Sequence, residues 1–211
     1  MELFRNEQED DKTIISRLGK NAGHIIYMLK SVLSTHENSI NWKLLAHASG
    51  LAGYACHKAV VENHEEFVLL GTNNGKKYYF GDSVNKYLLE NKLSVLCFIN
   101  GAYNYICPGK ELPDASTTIK RAVSVVGDDK YKIWDRYLPE EVFKAIKECW
   151  DGIFENMTSK YCKNPSEWPI LFGIVLQNIM LGEMKFSNPE NIYSAVLECT
   201  LFVSKMDVDS L

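Results

Sequence analysis

Residues 41–62, NWKLLAHASGLAGYACHKAVVE, constrain the fold more than any other stretch of this chain. The segment has helical length and no proline, and Ala46, Ala48, Ser49, Gly50, Ala52, Gly53, Ala55, Cys56 and Ala59 are all small. On a wheel of about 100° per residue, the polar or bulky side chains His47, Leu51, Tyr54 and Lys58 share a single stripe. An internal glycine costs about 1 kcal/mol against alanine in a helix. Close approach of a neighbouring backbone is the gain that offsets it. The pattern predicts a central helix with neighbours on at least two faces, in which Gly53→Leu is severely destabilising.

The rest of the chain reads as helices around that centre. Ile14, Leu18, Ala22, Ile25, Leu29 and Val32 recur at helical spacing over residues 12–34, behind Asp10 and Asp11 as start signals. Residues 93–107, LSVLCFINGAYNYIC, are apolar nearly all round. Pro113 and Asp114 open a helix with Ala115, Ile119, Ala122, Val123 and Val126 on one face and Gly127 as its stop. Pro139 opens another that runs to about residue 160 and buries Val142, Phe143, Ile146, Trp150, Ile153, Phe154 and Met157. Asn164-Pro165 and Asn188-Pro189 are paired start signals for helices over 166–183 and 189–204.

One stretch departs from this pattern. EFVLL precedes GTNNGKKYYFG, and Asn74-Gly75 is the preferred pair for a two-residue type I′ hairpin. That turn sets Leu70 opposite Tyr79 and Leu69 opposite Phe80. One face carries Val68, Leu70, Lys77 and Tyr79, and the other Phe67, Leu69, Tyr78 and Phe80. Asp82 is placed to cap a short helix over 83–90. Both hairpin faces are apolar, and an isolated hairpin is marginal in water. The hairpin therefore needs cover on both sides.

The expected architecture is mainly α: a single-domain bundle of about eight helices with one hairpin over about residues 67–80. Its core is the helices at 42–62, 93–107 and 166–183, in a domain spanning 11–205. Residues 1–10 read as a flexible acidic arm and 206–211 as a flexible tail. A net charge of −4 over 211 residues disfavours a nucleic-acid binder. MELFRNEQEDD is too acidic for a secretory signal. The longest apolar run, Trp168–Leu181, contains Gln177 and Asn178 and falls short of the roughly 20 residues of a membrane span. Of the six cysteines, Cys56, Cys97, Cys149 and Cys199 lie inside apolar helical patterns, which fits a reducing compartment. These features point to a soluble, cytoplasmic protein, with Cys56, Cys97 and Cys199 slow to react as thiols.

Motifs with chemistry are sparse. Cys56 and His57 are adjacent, but helical neighbours diverge by about 100° and cannot form a dyad with each other. His57 and His64 are seven apart, which is too far to share one metal ion on a straight helix. Glu148, Asp151 and Glu155 face Lys144 and Lys147 at ion-pair spacing and read as a solvated stripe. No phosphate-binding glycine loop, G-x-S-x-G or zinc-finger spacing occurs, so no metal and no cofactor is called for. Asn100, Asn104, Gln177 and Asn178 lie in apolar helices, where they either bridge helices or line a ligand site together with Tyr79.

Two functional readings follow. The first is a non-catalytic binding or interaction module for a small molecule or a protein, including a homodimer joined through Tyr78, Tyr79 or Phe80 of the hairpin. The alternative is an enzyme with its site near the hairpin exit, built from His57, Tyr79, Asp82 and Asn85.

Overall fold

The computed structural model describes residues 10–33, 39–72, 75–125, 128, 144–153 and 162–207. It is predominantly helical, with one antiparallel two-stranded hairpin. Helix α1 spans Asp11–Val32, where Asp10 accepts a hydrogen bond from the Thr13 amide at 2.7 Å and caps the first turn. Helix α2 spans Trp42–Glu62 and starts at Asn41, whose side chain accepts from the Leu44 amide at 3.0 Å. Its residues 44–57 are buried without a break. The stripe of His47, Leu51 and Tyr54 is therefore inside the protein as well.

The end of α2 directs the chain into the hairpin. His64 adopts φ 54°. The amide of Glu65 returns to Val60 O at 3.0 Å and that of His64 to Val61 O at 3.1 Å, which is the Schellman pattern. Asn63 donates to Ser166 Oγ at 2.9 Å and to Tyr87 Oη at 3.2 Å, and Tyr87 donates to Glu65 at 2.6 Å.

Strands β1 (Val68–Gly71) and β2 (Lys77–Phe80) follow. The register differs from the expected one by a residue. Leu69 faces Tyr79, Leu70 faces Tyr78 and Val68 faces Phe80. Thr72 and Lys76 are the last pair, with the Thr72 amide 2.8 Å from Lys76 O. Gly75 alone of the described loop residues carries a left-handed φ, at 85°. The loop is thus three residues long, with glycine at the position that needs positive φ. The slip regroups the faces. Val68, Leu70, Tyr78 and Phe80 share one, and Phe67, Leu69, Lys77 and Tyr79 share the other.

A short helix α3 (Asp82–Asn85) runs straight into a π-helical turn over Lys86–Glu90. Asp82 is the first helical residue and makes no capping bond, contrary to its expected role. Helices α4 (Val95–Ile106) and α5 (Ala115–Ser124) follow, capped by Ser94 and Asp114. Val126 and Gly127 lie outside the described residues, and Val123 is exposed, so α5 buries only Thr118 and Ala122 fully. Helix α6 is described over residues 144–153, with Ile146, Trp150 and Ile153 buried and Glu148 and Asp151 exposed. Val142, Phe143, Phe154, Glu155 and Met157 lie outside the described residues.

The Asn-Pro signals hold. Asn164 caps a 3-10 turn (Pro165–Glu167) that leads into α7 (Trp168–Glu183), and Asn188 caps α8 (Pro189–Lys205). Helices α2, α7 and α8 make the centre, with α4 and α1 packed on α7 and α5 on α8. α8 thus joins the three helices expected to form the core, and it is the main partner of α2. Tyr54 of α2 meets the edge of Trp150 on α6 at 5.1 Å, and Trp150 packs on Trp168 and Phe172.

The C-terminal end of α8 corrects another expectation. Residues 206 and 207, read as part of a loose tail, are tied to the hairpin. Met206 is buried and bridges Tyr78, and the Asp207 amide donates to Lys77 O at 2.9 Å. Residues 208–211 lie outside the described residues. So do residues 1–9 of the expected arm, whose last member, Asp10, caps α1.

Candidate functional site

Strand β2 sits in a notch between α2 and α8. Its outer edge pairs with Met206 and Asp207. On one face Tyr78 is 3% exposed and meets the ring of Phe202 at 6.4 Å. On the other, Tyr79 lies edge-on to His57 at 4.1 Å, and His57 stacks on Tyr54 at 5.8 Å. A row of ring contacts therefore runs from Trp168 through Trp150, Tyr54, His57 and Tyr79 to Phe67 at the protein surface.

The hairpin exit brings together part of the expected reaction site and adds a group that sequence reasoning missed. Lys205, in the last turn of α8, is only 7% exposed. Its Nζ donates to Asn85 Oδ1 at 3.0 Å and lies 5.9 Å from the centre of the Phe80 ring. Burial lowers the pKa of this amine below its ordinary 10.5, against the opposing pull of Cys56 and Asp82. The sequence signal for it is a lysine continuing the apolar run LFVSKM.

Asn85 thus serves Lys205, Asp82 is exposed beside it, and His57 serves Tyr79. The Cys56 thiol donates to Ala52 O at 3.3 Å on its own helix, and burial pushes its pKa up. Among the described residues, no hydrogen bond joins His57, Asp82 and Asn85, and none couples Cys56 to a base. The observed bonds fasten the C-terminal end of α8 to the hairpin exit.

The amide candidates do not converge on one cavity. Asn100 accepts from Tyr193 Oη at 2.8 Å and so bridges α4 to α8. Gln177 lies against Gly101, where α7 crosses α4, and a Cβ on that glycine would come within 2.5 Å of the Gln177 amide nitrogen. Asn104 and Asn178 are exposed, and Asn178 donates to Ile174 O of its own helix at 2.8 Å. Cys97 is exposed too, against the expectation of a buried, slow thiol, while Cys56 and Cys199 are fully buried. An apolar groove of about 390 Å³ lies between Met28, Leu29 and Val32 of α1 and Cys149, Gly152 and Ile153 of α6. Among the described residues, no three His, Cys, Asp or Glu side chains gather closely enough to hold a metal ion. No described helix is long and apolar enough to cross a membrane.

Strand β1 is the opposite of β2. Phe67, Val68, Leu69 and Leu70 are 39%, 58%, 45% and 50% exposed, so four consecutive large apolar side chains face solvent. Scattered exposed apolar residues are ordinary, but a contiguous set on a sheet edge is not. Tyr78 is sealed inside its own chain, and Tyr79 and Phe80 are partly buried, so the exposed apolar surface of the hairpin lies on β1.

No family model, curated protein or solved structure matches the chain.

Proposed function

We propose that the protein is a non-catalytic binding module that takes up an extended partner segment along strand β1. The single observation that carries this reading is the contrast within the hairpin. β2 is covered on its outer edge by Met206 and Asp207, whereas Val68–Leu70 of β1 and Phe67 just before it are 39–58% exposed. An edge strand offers unpaired amides and carbonyls to an incoming strand, and alternate side-chain positions give selectivity. The anchoring of β2 holds that edge in place before a partner arrives, which lowers the ordering cost of binding. Cys56, Cys107, Cys162 and Cys199 are buried as thiols, which supports a reducing, cytoplasmic setting.

An array of synthetic octapeptides tests the reading. Strand-forming apolar peptides are expected to retain the protein, and proline-containing counterparts to release it. Leu69→Pro is expected to abolish retention, because Leu69 occupies a β1 position whose amide points away from β2. Equal retention of the wild type and Leu69→Pro would refute the edge-strand reading.

A further inference from the structure

The identity of the incoming strand follows from the hydrogen-bond phase and charge of β1, given the edge-strand reading above. In an antiparallel ladder, residues alternate between positions bonded to the partner strand and positions whose backbone groups point outward. Thr72 and Lys76 are a bonded pair, so the same phase places Leu70 with Tyr78 and Val68 with Phe80 as bonded pairs. Phe67, Leu69 and Gly71 then direct their amides and carbonyls to the outer edge. No described residue is hydrogen-bonded to them there.

We propose that this edge pairs with β1 of a second copy of the chain, antiparallel, about a twofold axis through Leu69. That register sets Leu69 against Leu69 of the second copy and Phe67 against Gly71 of the second copy. Every outward-pointing group of the three residues then meets its complement. Phe67 lies across from a glycine, where an aromatic ring covers the bare backbone of an edge.

Charge selects the antiparallel sense and favours a self-partner. Glu66 precedes β1, next to a Glu65 already held by Lys86 and Tyr87 of its own chain, and Lys77 and Lys76 stand across from Gly71 and Thr72 at its other end. The strand is therefore acidic where it begins and basic where it ends. Twofold pairing brings Glu66 of each copy opposite Thr72 of the other, one strand away from Lys76 on the same face. A parallel arrangement would set like ends together.

The contact is small. Strands of this length bury less than the roughly 1,200 Å² of a stable specific interface, so the dimer is weak and reversible.

Sedimentation over a concentration series reads the outcome. The wild type is expected to move from monomer toward dimer as concentration rises into the high micromolar range. Leu69→Pro removes an outward amide, and Leu69→Lys sets two ammonium groups at the axis without straining the backbone. Both variants are expected to stay monomeric with unchanged circular dichroism. Glu66→Lys is expected to weaken the dimer roughly three- to tenfold, because the twofold repeats the lost contact. Adding Lys76→Glu to Glu66→Lys is expected to recover it. A wild type that is monomeric throughout overturns the self-partner, while a positive peptide array would still uphold the edge strand. A dimer indifferent to both Leu69 variants, or a charge swap that restores nothing, overturns the proposed register and the proposal with it.

Discussion

Helices α2 and α5 both pack against α8, and they do so by opposite means. α2 meets α8 through small residues and backbone. A Cβ on Gly53 would collide with Thr200 O and lie 3.0 Å from the Ser204 amide nitrogen. The hydroxyls in the seam are satisfied locally: Ser49 donates to Leu45 O at 2.7 Å, and Thr200 donates to Val196 O at 2.8 Å. α5 buries only Thr118 and Ala122, and is clasped by an ion pair. Arg121 Nε reaches Glu198 Oε1 at 2.9 Å, and its second nitrogen takes the other carboxylate oxygen. Glu198 is 1% exposed and Arg121 60%. The first contact depends on shape, with no charge to screen. The second depends on a carboxylate whose pKa burial pushes up to about 7 and which Arg121 clasps through both oxygens. Shape makes a contact rigid, and charge makes it conditional.

The largest effect is expected where shape is violated. Gly53→Leu should lose at least ~3 kcal/mol in urea unfolding, because the colliding atoms belong to the α8 backbone and cannot rotate away. Gly53→Ala should still be destabilising by about 1 kcal/mol or more, despite alanine's better helix propensity. A neutral Gly53→Ala would put the close approach elsewhere.

Breaking the clasp comes next. Arg121→Ala should cost about 1–3 kcal/mol near pH 8, a value discounted because the guanidinium is largely solvated. The cost should shrink toward pH 5. Burial already raises the Glu198 pKa and loss of the arginine raises it further, so between the unfolded value and the raised one the folded variant binds the extra proton. Stability of the variant then falls as pH rises through this window. A cost that is flat from pH 5 to 8 would mean the carboxylate does not feel its burial.

Lys205 sharpens the comparison at the far end of α8. Its pKa is lowered in the folded protein, so its ammonium opposes folding at neutral pH, and stability should rise as pH climbs toward 10.5. Lys205→Met should raise stability by up to ~1 kcal/mol at pH 7, with a gain that fades in alkali. Loss of stability instead would show that the bond to Asn85 outweighs the burial.

The mildest measurement perturbs nothing. Cys97 should react with a thiol reagent as fast as a free peptide thiol. Cys56 and Cys199, on α2 and α8, should wait for unfolding. Fast labelling of Cys199 would mean that the α2–α8 seam opens locally.

These contacts differ in how far they could be read in the sequence. The density of small residues in 41–62 announces a close crossing, and Asn-Pro pairs announce α7 and α8, because both signals are local. The hairpin register is not announced. Asn74-Gly75 suits a two-residue turn, but Gly75 also suits the last position of a three-residue loop, and the pairing of Thr72 with Lys76 decides between them. Hydropathy cannot separate β1 from β2, since both strands are apolar. What separates them is Met206, well over a hundred residues away in sequence. Lys205 was missed for the same reason, since nothing near it points to Asn85. The solvent-facing placement of Asn104 and Asn178 was not legible either, because their helices are too apolar in sequence to give a clear face.

The bridge between Tyr78 and Met206 also orders events during synthesis. The hairpin leaves the ribosome early, while its buried tyrosine still lacks both Phe202 and the strand segment that closes its outer edge. Until residues 202–207 are made, the nascent chain carries two bare sheet edges instead of one, and neighbouring chains on the same messenger present the same edges. Late closure of this kind slows folding and favours aggregation at high expression, so rarer initiation, which spaces nascent chains apart without prolonging the exposure of each, should raise the soluble yield of this protein more than lowering the temperature after synthesis.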